Sequence, residues 1–346
     1  MRIPLLFGII VLLVAVITPL VRKLALLLGI VDLPGGRKIH DHATPLLGGL
    51  AIYLGVLAGI LIRFQSLTQY LPIFVSASFI LIVGIIDDVK GLSAQVRMFC
   101  QLLAALLVIY YGVRVTFVPL GLWKDPIEVL LTLFWIIGVT NAYNYLDGLN
   151  GLATGSAVIN LFCLWSVLNS TKQYALELMV ITLMAACIGF LPYNNYKRAK
   201  IFLGDAGSTF LGFMLACFAL AGDWAANNAV KLSIPILILG VPIFDMIFTT
   251  IMRIKEEKIA NIIEWLKYGG KDHFHHYLVD LGLSPSGAVR FIYFITFSLG
   301  ISAIMVSNDS AWEAGLTLSQ AGIIFGVIAV LIVVGKRRRS GWKKVQ

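Results

Sequence analysis

The sequence predicts an all-α polytopic membrane protein, with about eleven transmembrane helices and an active-site cleft built from the loops of one membrane face. Three observations carry that prediction. The 346 residues are 59% apolar, only 13% are charged and the mean hydropathy is +0.90, which removes the chain from the soluble class. Apolar runs of the roughly 20 residues needed to cross a bilayer recur along its whole length. The polar motifs fall at the joints between those runs. Residues 1–346 read as one integral membrane domain, with no soluble module, internal repeat or low-complexity segment.

The eleven runs centre on Leu12, Val56, Ala77, Leu106, Phe134, Cys163, Thr182, Met214, Leu237, Thr296 and Val327. The first, "MRIPLLFGIIVLLVAVITPLVRKL", is long and ends in Arg22 and Lys23 without a small-residue cleavage pattern, so it is expected to be a retained span and not a signal peptide. The four cysteines, Cys100, Cys163, Cys187 and Cys217, lie inside apolar segments without metal-ligand spacing and are expected to be packing residues.

With eleven spans the termini lie on opposite sides, and the basic residues choose the orientation. Placing the N-terminus outside puts 21 of the 27 Lys and Arg, and 12 of the 18 acids, on the cytoplasmic face. The whole formal charge of +9 then sits on one side, where anionic lipid attracts it, and no nucleic-acid partner is implied.

In that orientation every polar motif is cytoplasmic, as expected for a composite active site. "IIDDVKG" closes the third run and sets Asp87 and Asp88 against the negative end of a helix dipole. "NAYNYLDGLNG" joins the fifth and sixth; on a helix Asn141, Asn144, Asp147 or Gly148, and Gly151 form a polar stripe suited to a hydroxyl-rich, phosphate-bearing ligand. Taken alone, a polar turn explains it equally well. "IFLGDAGSTFLG" sets Asp205 at the amide-rich start of the eighth run, as a helix cap or as a carboxylate for a magnesium pyrophosphate. "KDHFHHYL" groups His273, His275 and His276 beside Lys271, and pyrophosphate binding or proton transfer ranks above zinc there because no cysteine partner is near. "RKIHDHATPLLGG" adds Arg37, Lys38, His40 and His42, part of which is the ordinary positive-inside excess.

In this order, "DD", "NxxDGLNG", "GDAGS" and "HxHH" closely resemble the polyprenyl-phosphate N-acetylhexosamine-1-phosphate transferases of glycosyltransferase family 4, over most of the chain. The resemblance implies that a UDP-N-acetylhexosamine gives its sugar-1-phosphate to undecaprenyl phosphate with release of UMP, at the inner (plasma) membrane of a bacterium. It implies magnesium, with manganese as a substitute, on Asp205 and Asn144. Asp147 and Asn150 would lie in the nucleotide-sugar pocket, and Asp87 and Asp88 at the lipid phosphate with Lys90 and Arg97 as its electrostatic partners. His273, His275 and His276 would lie near the sugar and pyrophosphate, and Lys38 and His40 are further substrate-binding candidates. Either Asn194 or Asn195 would be the asparagine before the magnesium motif, since an apparent one-residue insertion separates the two counts. The basic tail after an eleventh span, "HFHH" and "PIFDMIFTTIMR" (Pro242 to Arg253) resemble the branch that transfers GlcNAc-1-phosphate more than the branch that uses UDP-MurNAc-pentapeptide. A homodimer is one assembly considered.

Two close carboxylates repel, so one of Asp87 and Asp88 is expected to accept a proton from the lipid phosphate; neighbouring helix positions point about 100° apart, so their roles should differ. A proton-coupled transporter is the alternative of another class, but transporters carry ionisable groups near the bilayer midplane. Here Asp245, late in the ninth run and expected to face the cytoplasmic cavity, is the main exception to span interiors nearly free of charge.

Overall fold

The computed structural model describes residues 3–33, 43–118, 121–194, 199–261, 264, 268, 270, 272–307 and 310–342. Its helices are α1 (Ile3–Leu27), α2 (Gly48–Ile62), the short α3 (Phe64–Leu67), α4 (Leu71–Lys90), α5 (Ala94–Tyr110), α6 (Lys124–Leu146), α7 (Leu152–Ser170), α8 (Tyr174–Phe190) and α9 (Gly204–Ala221). Then follow α10 (Asn228–Ile238), α11 (Gly240–Lys255), the short α12 (Phe274–Asp280), α13 (Pro285–Val306) and α14 (Ala311–Trp342). Seven of these segments are long and apolar enough to cross a membrane, α10 with α11 makes an eighth as a bent pair, and α2, α5 and α8 are shorter apolar helices. These elements coincide with the eleven apolar runs. The chain is an all-α polytopic membrane protein, and Lys38, His40 and Asn195 lie outside the described residues.

The ninth span departs from a single helix. It breaks at Leu239 and turns by 76° between α10 and α11. Pro235 in α10 and Pro242 at the third residue of α11 each lack an amide proton, so the helix ladder has two missing donors on either side of Gly240. The bend carries α11 across the end of the bundle where the polar motifs meet.

α9 is the most enclosed span and α1 and α14 the most peripheral. Its first turn is reached by backbone as well as by side chains. A Cβ built on Gly84 of α4 would lie 2.3 Å from Ala206 Cα, and one on Gly49 of α2 would lie 2.3 Å from Gly207 Cα, so main chains touch at both crossings. The residues before α9 are tied to the start of α2 by Gly48 N–H to Phe202 O (2.9 Å), Gly49 N–H to Leu203 O (2.9 Å) and Phe202 N–H to Pro45 O (2.8 Å). A two-residue antiparallel pairing, Val31 with Pro45 and Asp32 with Thr44, closes the base of the connection between α1 and α2.

Replacing Gly84 by Ala is expected to force α4 from α9 and lower stability by about 1–3 kcal/mol, the usual cost of overpacking. Gly315, with open space around it, serves as the control: Gly315→Ala should leave the thermal unfolding of detergent-solubilised protein unchanged while Gly84→Ala lowers it.

Candidate active site

The end of α4, the start of α9, the end of α6 and the histidine segment converge, as the motif order suggested. Asp87 and Asp88 point apart. The Asp87 carboxylate accepts from Leu92 N–H (2.6 Å) and from Arg97 Nη1 (2.8 Å) in the first turn of α5. The Asp88 carboxylate crosses to α9 and accepts from the backbone N–H groups of Asp205 (2.9 Å) and Ala206 (3.2 Å). An acid that opposes its own helix dipole thus faces the favourable end of another. Gly204 (φ +75°) lets the two elements close up, because any side chain there would meet Leu46 O and Asp88 Oδ2.

Asp205 is presented by that first turn. Its Oδ1 accepts from Asn144 Nδ2 (2.8 Å), and its Oδ2 lies 3.6 Å from Arg97 Nη1. Asn144 Nδ2 also donates to Ser208 Oγ (2.9 Å). Both amide protons of Asn144 are therefore used, and its Oδ1 makes no bond to a described residue. One half-exposed carboxylate oxygen and one amide oxygen suit a hard cation that completes its shell with phosphate oxygens. Among the described residues no three His, Cys, Asp or Glu side chains gather as a protein-only metal cage. Lys90 is exposed and pairs with no described residue.

The turn from Asp147 to Gly151 follows α6. Burial, and then the nearby carboxylates of Asp205 and Asp88, push the Asp147 carboxyl well above the ordinary carboxylate range. Asn150 sits half-buried on the same turn. Asn194 has a different position: it is buried, its Oδ1 accepts from Gly151 N–H (3.1 Å) and Thr154 Oγ1 (3.3 Å), and its Nδ2 donates to Ile201 O (3.1 Å). Both ends of the amide latch the turn to the segment before α9. Tyr293 of α13 holds the same turn by donating to Gly151 O (2.6 Å).

The three histidines are not equivalent. The His273 ring stacks on Tyr145 of α6 at 4.7 Å, and its Nε2 lies 3.3 Å from Arg253 Nη2. The His275 ring is buried against Gly148, where a Cβ would meet its Nε2 at 2.1 Å, and neither ring nitrogen hydrogen-bonds to a described residue. Burial, with His276 next to it, pulls the His275 imidazole down to about 3, so it is neutral. His276 is half-buried, its ring 4.1 Å from that of His275.

The motif order gave no role in the site to Asp245, Thr249, Arg253 and Asp272. Asp245 does not face a cavity: it is fully buried and accepts from Phe274 N–H (2.6 Å) and Thr249 Oγ1 (3.1 Å). Arg253 grips Asp272 through Nε (3.1 Å) and Nη2 (2.7 Å), a bidentate pair. Although burial opposes it, that guanidinium holds the Asp272 carboxyl below its ordinary range. The signal was present as polar residues at i, i+4 and i+8 in "DMIFTTIMR", opposite the exposed Ile247, Ile251 and Ile254. Farther out, Glu256 pairs with Lys258 (2.7 Å) and with Lys336 of α14, whose ammonium lies 5.4 Å from the Tyr277 ring centre.

Residues 70–223 match the family described as Glycosyl transferase family 4. The chain is 38% identical over 317 residues to the "Probable undecaprenyl-phosphate N-acetylglucosaminyl 1-phosphate transferase" of Bacillus subtilis, covering 90% of this chain and 87% of that one. It is 31% identical to the decaprenyl-phosphate N-acetylglucosaminephosphotransferase of Mycolicibacterium smegmatis, over 92% of this chain and 85% of the other. The undecaprenyl-phosphate alpha-N-acetylglucosaminyl 1-phosphate transferase of Escherichia coli is 26% identical over 77% and 74%.

A histidine held at about 3 instead of 6.5 leaves the folded chain binding fewer protons than the unfolded one between those values. Stability should therefore fall as pH drops below 6.5, by up to about 1.4 kcal/mol per pH unit from this group. Thermal unfolding of His275→Gln in detergent between pH 7 and 4.5 should show a shallower acid-side decline than the wild type.

Proposed function

The chain belongs to glycosyl transferase family 4, and on that footing we propose that it transfers N-acetylglucosamine-1-phosphate from a UDP-sugar to undecaprenyl phosphate, releasing UMP and leaving a lipid-linked pyrophosphoryl sugar. The carrying observation is the first turn of α9. There Asp205 has one oxygen on Asn144 and the other turned toward Arg97, beside helix amides that Asp88 already neutralises. This is a receptor for phosphate and cation together, at the end of a membrane bundle where a lipid head group arrives.

In this reading magnesium, with manganese as a substitute, binds Asp205 and Asn144 and, when bound, supplies withdrawal of charge from the reacting phosphorus. The chain's own residues do the rest. Arg97 spends one nitrogen on Asp87 and Asp205, and the remainder of its guanidinium can hold the lipid phosphate in line for attack on the sugar-bearing phosphorus. As the new P–O bond forms, the bond to UMP breaks and UMP leaves with its electron pair. One of Asp87 and Asp88 takes the phosphate's proton; Asp87 shares Arg97 with the incoming phosphate, and Asp88 lies against the first turn of α9. Asp147 and Asn150 meet the nucleotide sugar. The N-terminus lies outside, and the site and C-terminus face the bacterial cytoplasm, where the basic residues gather.

Purified protein given undecaprenyl phosphate and a panel of UDP-sugars should release UMP with UDP-GlcNAc in a magnesium-dependent way. Asp205→Asn should lower that rate by about 100-fold or more, the scale of several kcal/mol of lost electrostatic stabilisation. Ordinary turnover of the variant at ordinary magnesium would remove Asp205 from the metal site.

Orientation has its own test. In a cysteine-free background, Asp280→Cys should resist an impermeant thiol reagent in intact cells while Ser310→Cys reacts. The reverse pattern would invert the topology.

A further inference from the structure

We propose that Asp245 is a positioning residue for this transfer: it fixes the histidine segment against the Asp147–Gly148 turn, and it acts through His273. The inference rests on the function proposed above and assigns a role to a buried acid that the transfer chemistry does not use.

The geometry of His273 carries it. Arg253 can only donate, so the His273 Nε2 at 3.3 Å from its Nη2 must accept. Its Nδ1 lies 3.4 Å from Asp245 Oδ2, within reach of electrostatic attraction but outside hydrogen-bond geometry. Both ring nitrogens of His273 thus face polar groups of α11, and the ring face is stacked on Tyr145. Asp245 Oδ1 meanwhile takes the backbone N–H of Phe274 and the hydroxyl of Thr249, which also lies 3.2 Å from Asp272 O. One carboxylate thus meets the start of α12 at two successive residues, by a hydrogen bond from the Phe274 amide and by close contact with the His273 ring.

What this fixes is the height of His275. His275 lies two residues beyond His273, and its ring fills the space that a side chain on Gly148 would need. Asp147 is one residue earlier. A shift of α12 by a fraction of an ångström would move the His275 ring off the turn that carries Asp147 and Asn150. Apart from His273, Asp245 touches none of the groups expected to meet substrate, so its effect passes through the placement of His273 and Phe274. An asparagine at 245 can keep the Phe274 bond. Its amide NH2 would then replace the carboxylate oxygen beside His273 Nδ1 and remove the negative charge from that contact.

The test compares the full-length wild type with Asp245→Asn, His273→Asn and the double variant, in UMP release and in backbone hydrogen exchange. Asp245→Asn should lower kcat at least tenfold with less than a threefold change in KM for UDP-GlcNAc. Exchange over residues 272–280 should quicken while residues 204–221 keep their protection. The double variant should be no slower than the slower single one, because both changes break the same link. Thr249→Val, which removes only a hydroxyl from Asp245, should give a weaker form of the same pattern and serves if Asp245→Asn fails to fold. Wild-type kcat in Asp245→Asn, losses that multiply in the double variant, or unchanged exchange at 272–280 would each overturn the assignment. If the wild type releases no UMP from any UDP-sugar, the proposed reaction fails, and the exchange pattern alone still decides whether Asp245 holds the segment.

Discussion

The Asp88 carboxylate on the open amides of α9 is the interaction on which the site depends. A helix start inside a membrane bundle has no water to satisfy its first N–H groups, and each one left buried without a partner costs on the order of 1–3 kcal/mol. Asp88 answers two of them from a neighbouring helix. It can do so only because Gly84 brings α4 into main-chain contact with Ala206, and because Gly204 carries no side chain to keep the carboxylate away. With Asp88 committed there, Asp205 is released from capping its own helix and turns outward to Asn144 and Arg97. A charge that looks misplaced on its own helix is what frees the next one for chemistry.

Much of this was legible in the chain because membrane physics writes it in long, redundant signals. Each of the eleven apolar runs is many residues deep, so an error of several residues at either end does not erase a span. The convergence of the four motif loops followed from alternating connectivity alone. The 76° bend was not legible, since Pro235 and Pro242 are compatible with a continuous span whenever neighbours take up the freed carbonyls. Asp245 was misread for a related reason. A lone acid in an apolar run has the same appearance whether it faces water or a folded-back amide, and only the bend brings Phe274 N–H to it. The choice between Asn194 and Asn195 depended on loop path; Asn194 is occupied as a latch, and Asn195 lies outside the described residues.

The histidine segment shows how little a cluster of one residue type says about shared work. His273 has one nitrogen on Arg253, the other 3.4 Å from Asp245 and a face on Tyr145, whereas neither nitrogen of His275 bonds to a described residue, and they stand two positions apart. Their difference comes from what α11 and the Gly148 turn present to each, and neither surface is adjacent in sequence. His273 lies between the charged Arg253 and Asp245; His275 is buried beside the His276 ring and the bare Gly148, and that burial keeps it uncharged.

α5 has 17 residues, so at 1.5 Å per residue it spans about 26 Å, short of the roughly 30 Å hydrocarbon core. Unlike the largely enclosed α8, it turns Phe99, Leu103, Leu106 and Leu107 outward to the acyl chains. A helix shorter than the hydrocarbon core is matched by local thinning, by snorkelling of flanking side chains or by association with a neighbour. Arg97 stands in the first turn of this same helix, paired with Asp87. The guanidinium is therefore carried at the end of a lipid-facing element that is a few ångströms short of the layer it crosses, which sets it nearer the hydrocarbon than the end of a full-length span would.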